Sequence, residues 1–154
     1  MNPNLKMTKR RWMKMTYLSK NYVPEFISAH EIFYATHYDY KGIRYQHYFY
    51  CIYSQRRDSE AEMARDIIGL MISSKKQKGY VVEVDLDGKI AYVCCDIEMR
   101  FISDVDKVQR KNKIKLDAIT QQKIMSCYRD FTNAKFEQLE KGLIIFSEKQ
   151  AKED

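Results

Sequence analysis

Between positions 30 and 53, aromatic and branched side chains crowd both sides of a polar break, Asp39-Tyr40-Lys41-Gly42. Strand-forming residues flanking a glycine-containing break predict a β-hairpin. With Lys41-Gly42 as a two-residue turn, Tyr38 faces Tyr45, Tyr34 faces Phe49, Ile32 faces Cys51, and Asp39 meets the oppositely charged Arg44. Side chains alternate along a strand, so this register predicts a core face of Ile32, Tyr34, Tyr38, Tyr45, Phe49 and Cys51. The opposite face then carries Phe33, Ala35, His37, Arg44, Gln46, Tyr48 and Tyr50.

Further on the period lengthens. Ser59-Glu60-Ala61-Glu62 has the spacing of a capping box, in which serine and glutamate satisfy free backbone N–H groups at a helix start. Ala64, Ile67, Ile68 and Met71 recur as on one helical face, Lys75, Lys76 and Lys78 suit the negative end of the helix dipole, and Gly79 supplies a stop. A helix is expected here.

Strict alternation returns over residues 80–97, broken by Asp87-Gly88, a strong signal for a two-residue turn. Tyr80, Val82, Val84, Leu86, Ala91, Val93 and Cys95 form the predicted core face, and Glu83, Asp85, Asp96 and Glu98 the outer one. Residues 103–106 read as a short helix start and 110–113 as a basic loop. A last helix is expected from Asp117, burying Ile124, Cys127, Tyr128, Phe131, Ala134 and Leu139 and ending at Gly142. Residues 143–146 are either a short strand or an apolar clasp, and 147–154 a polar tail.

The order hairpin, helix, hairpin, helix predicts an α+β fold. Its antiparallel sheet would have four or more strands in ββαββα order, with the helices on one face. The expected organisation is an N-terminal arm over 1–20, one domain over 21–146 and the tail.

Composition narrows the class. With 154 residues, 45% hydrophobic and 31% charged, the chain has the balance of one globular domain. No apolar run reaches the roughly 20 residues of a membrane-spanning helix, and no secretory signal is evident, so a soluble cytoplasmic protein without a membrane partner is expected. The formal charge is +6, and Lys6, Lys9, Arg10, Arg11, Lys14 and Lys20, unaccompanied by any acidic residue, account for all of it. A basic arm on a neutral body adds phosphate contacts without making the whole domain cationic.

Candidate chemistry is sparse. Cys51, Cys94, Cys95 and Cys127 lack the paired spacing of zinc or redox sites and read as buried thiols in a reducing compartment. His37 is expected to face away from His30 and His47, and the outer carboxylates of the second hairpin read as a solvated face. A divalent-metal nuclease built on those carboxylates ranks last. No nucleophile motif or phosphate-cradling glycine loop is evident, so no catalytic residue, cofactor or metal site is assigned and a non-enzymatic role is favoured. The strongest pattern is tyrosine beside cation, as single-stranded nucleic-acid platforms use. The candidate residues are Arg44, Tyr48 and Tyr50 on the hairpin and Lys9, Arg10, Arg11 and Lys14 on the arm. The same surfaces suit a protein-interaction module, such as a small inhibitor or accessory subunit of a nucleic-acid-processing enzyme.

Overall fold

The computed structural model describes residues 21–57, 64–105 and 113–153, with side chains through residue 142. Within them the chain forms β1 (Tyr22–Val23), β2 (Ile32–Tyr38), β3 (Arg44–Arg56), β4 (Ala64–Ser73), β5 (Val81–Leu86), β6 (Lys89–Asp104) and α1 (Ala118–Glu153). The strands make one sheet in the order β1-β6-β4-β3-β2, with β5 also paired to β6. All pairings are antiparallel except β1 with β6, which is parallel. The fold is α+β, but the expected ββαββα order and purely antiparallel sheet give way to a mixed six-stranded sheet and a C-terminal helix.

The main departure is β4, where a helix was expected. Spacing at i, i+3, i+4 and i+7 is also what a continuous apolar run produces, and such a run is the mark of a strand covered on both faces. β4 lies between β3 and β6. Its Leu70 and Ile72 pack on the α1 side, while Ile67 and Met71 pack on the other. Gly69 sits mid-strand because a Cβ there would come within 3.0 Å of both Phe33 Cζ and Phe49 Cβ. The expected capping box lies outside the described residues. Lys75, Lys76 and Lys78 belong to the exposed β4–β5 connection, and Gly79 adopts a left-handed φ of +105° there.

The second hairpin follows its sequence pattern. Asp87 and Gly88 both take positive φ, 51° and 89°, as a two-residue turn matched to strand twist requires, and Leu86 pairs with Lys89. All seven expected core residues of this hairpin belong to the cluster that also buries Leu116 and Ile124. Ser103 and Asp104 end β6 and do not start a helix; the expected basic loop lies outside the described residues except for Lys113.

Asp117 caps α1, its carboxylate accepting the Thr120 N–H at 2.7 Å, which also lowers the Asp117 pKa. Gly142 does not end the helix: residues 143–146 continue α1 and do not form a strand. Leu139 is exposed and not part of the buried stripe.

The sheet is covered on both sides. Opposite α1, Phe33, Phe49 and Phe101 meet with ring centroids 4.8 to 5.6 Å apart, sealed by Val23 and Ile27. Burying each such ring is worth roughly 1.5–3 kcal/mol, so this second cluster is a substantial part of the fold's stability.

Candidate nucleic-acid interface

The β2–β3 turn decides which tyrosines are available. Asp39 N–H donates to the Ile43 carbonyl at 3.1 Å and Gly42 N–H to the Asp39 carbonyl at 3.0 Å, enclosing the three-residue loop Tyr40-Lys41-Gly42. The Asp39 carboxylate accepts both the Lys41 and Ile43 N–H groups at 2.9 Å, and Gly42 takes φ +81°. This is a turn closed by a glycine in the left-handed region, one residue longer than the expected loop. The register therefore moves by one: Tyr38 pairs with Arg44, His37 with Tyr45, Tyr34 with Tyr48, Phe33 with Phe49 and Ile32 with Tyr50.

A one-residue slip reassigns the faces. Tyr34, Tyr38, Arg44, Gln46, Tyr48 and Tyr50 lie on the α1 side, and Phe33, Ala35, His37, Tyr45, His47, Phe49 and Cys51 on the other. Tyr50 is buried in the core with its hydroxyl 2.6 Å from His30 Nδ1, and burial raises its pKa to about 12. It is therefore removed from the candidate platform. Arg44 and Tyr48 are exposed, and the register joins to them two residues first placed in the core, Tyr34 and Tyr38.

Tyr34 and Tyr48 touch, with centroids 4.9 Å apart and planes inclined at 57°, and remain 48% and 43% exposed. They line a cavity of about 340 Å³, toward the small end of ligand-binding clefts. Gln46 stands beside them, Ile72 and Ala91 add apolar surface, and Lys89 and Ile90 come from the β5–β6 hairpin. The Tyr34 hydroxyl donates to Gln46 Oε1 and the Gln46 amide N–H donates to Thr36 Oγ1, both at 3.4 Å, long bonds with which a ligand can compete. Ser73 and Ser74 also line the cavity, and the exposed Lys75 and Lys76 follow them directly. This basic connection was legible in sequence only as the end of a helix. The arm residues Lys9, Arg10, Arg11 and Lys14 lie outside the described residues.

A larger cavity of about 540 Å³ opens near Tyr53, Arg57, Asp66 and Arg100. There the Arg57 guanidinium is 2.7 Å from the Asp66 carboxylate, so much of its charge is already met. The Tyr53 hydroxyl is bonded to Gln55.

The histidines and Glu98 depart from expectation, whereas Glu83, Asp85 and Asp96 are exposed. His37 and His47 share a face, with His37 Nε2 2.8 Å from His47 Nδ1. Burial, and secondarily the neighbouring His47, lower the His37 pKa. Glu98 faces α1, accepting the Tyr128 hydroxyl at 2.6 Å, and is not on the outer face of the hairpin. Among the described residues, no three His, Cys, Asp or Glu side chains are grouped to hold a metal ion. The four cysteines are free thiols, and burial pushes the pKa of Cys51 up to about 12. Among the described residues, no helix is long and apolar enough to cross a membrane. Comparison with protein-family models, curated proteins and solved structures finds no match to this chain.

Proposed function

We propose that this protein binds single-stranded nucleic acid, stacking bases on Tyr34 and Tyr48 at the mouth of the smaller cavity. The observation that carries the reading is this pair of touching, solvent-facing phenol rings beside a cavity that the Gln46 amide and Lys89 also line. Every base has a π-face, and aromatic stacking is worth about 1–3 kcal/mol per base, so two rings give useful affinity without sequence-specific contacts. Gln46 offers a donor and an acceptor to base edges. Lys89 in the cavity lining and Arg44, two positions along β3 from Gln46 on the same face, meet phosphates, and Lys75 and Lys76 extend the positive path. The basic arm, with Lys9, Arg10, Arg11 and Lys14, adds phosphate contacts. In a duplex the bases are stacked on one another, so rings on a sheet surface favour unpaired strands. A reducing, intracellular compartment suits both the four free thiols and a nucleic-acid partner.

The test is titration of the full chain with labelled single-stranded and duplex oligonucleotides at several salt concentrations. Single-strand binding that weakens with salt and with loss of the tyrosines supports the reading. Absence of binding at low salt overturns it and leaves the protein-interaction alternative.

A further inference from the structure

Helix α1 outlasts the sheet on which it packs. Its first part buries Ile124 and sets Cys127 and Tyr128 against the core, and Phe131 lies 5.4 Å from the Tyr80 ring. Every residue from Lys135 to Gly142 is exposed, yet the helix continues to Glu153. At 1.5 Å per residue the stretch beyond Ala134 is ~28 Å long. Phe136 and Leu139 are 62% and 59% exposed there. Helices of this length are marginal in water on their own and draw stability from packing an apolar stripe.

The charges around the stripe indicate what covers it. Phe136 and Leu139 are three apart, and the sequence continues the spacing with Leu143 and Phe146, giving the alternating three-and-four pattern of a two-stranded seam. Lys135 then precedes the first seam position and Glu140 follows the second, the flanking places where helices exchange ion pairs. In a parallel pair of identical helices Lys135 of each chain meets Glu140 of the other. In an antiparallel pair, lysine would meet the lysine-bearing flank and glutamate the other glutamate flank. Complementarity therefore favours a second copy of this chain, parallel and in register.

We propose that the part of α1 beyond Ala134 forms a parallel two-stranded coiled coil with a second copy of this chain. Sedimentation equilibrium on the full chain should give twice the 18.5 kDa protomer mass. Leu139→Glu should give a monomer with an unchanged thermal transition of the body. Because introducing a charge into the seam is a blunt change, the discriminating variants are electrostatic. Lys135→Glu places glutamate against glutamate and should weaken dimerisation on the order of tenfold, and adding Glu140→Lys should restore it. A wild-type monomer at the highest soluble concentration overturns the proposal. So does a dimer that survives Leu139→Glu, or one indifferent to the charge swap.

Discussion

The rings of Tyr34 and Tyr48 meet across the β2–β3 ladder at 4.9 Å, and both face solvent. They are cross-strand partners two positions along the same face from Ile32 and Tyr50, which are buried. One face of the hairpin thus passes from core to open surface within a single step of its alternation. Tyr34→Ala and Tyr48→Ala should each weaken single-strand affinity by roughly 5- to 150-fold, the equivalent of one lost stack. Fluorescence anisotropy reads the affinity, and a thermal melt within a few degrees of wild type confirms that the fold is intact.

Tyr50 is the internal control. Its hydroxyl lies 2.6 Å from His30 Nδ1 inside the core, so Tyr50→Phe removes a hydrogen bond without opening a cavity. Stability should fall by about 0.5–1.5 kcal/mol in urea titration, with oligonucleotide affinity unchanged. A loss of affinity matching that of Tyr48→Ala would place Tyr50 in the interface.

The contrast between these two tyrosines marks what the sequence could reveal. A two-residue turn matched to strand twist needs positive φ at both central residues, which Asp87-Gly88 supplies, so the register and core face of the β5–β6 hairpin were legible. Gly42 also announces a turn, but a glycine in the left-handed region closes a three-residue loop as readily as it completes a two-residue one. Here the Asp39 carboxylate, bonded to the Lys41 and Ile43 N–H groups, supports the longer loop that the Asp39 and Ile43 backbone bond closes. That one residue moved Tyr50 inside and Tyr34 outside. It also brought His37 to His47.

β4 was obscured for a different reason. A strand packed on both faces loses its alternation, and the resulting run mimics an amphipathic helix. Gly142 does not mark the helix end because a glycine at an exposed helical position costs only about 1 kcal/mol, too little to terminate α1.

Gly69 tests the two-sided core. Gly69→Ala would press a methyl group against Phe33 and Phe49 at 3.0 Å, with backbone fixed by pairing on both sides. Overpacking of this kind should cost about 1–3 kcal/mol, measured as a lower urea midpoint at unchanged slope. An unchanged midpoint would mean that the phenylalanine cluster yields freely.

His37 makes stability depend on pH. Its pKa is lowered below the ordinary 6.5 by burial and by His47. As pH falls through 6.5 the unfolded chain takes up a proton that the folded chain resists, so this contribution to stability is lost on acidification until the folded pKa is passed. Urea midpoints at about pH 7.5 and about pH 5.5 should differ more for wild type than for His37→Gln. Equal differences would show that other groups dominate.

Salt-dependent titration of a labelled single-stranded oligonucleotide against wild type and the Tyr34→Ala/Tyr48→Ala double variant tests the interface most directly. Wild type should bind with an affinity that falls steeply as salt rises, and the double variant should lose affinity at every salt concentration while keeping the salt slope set by its cations. Equal binding by the two proteins, or no binding by either at low salt, would contradict a stacking site on this face.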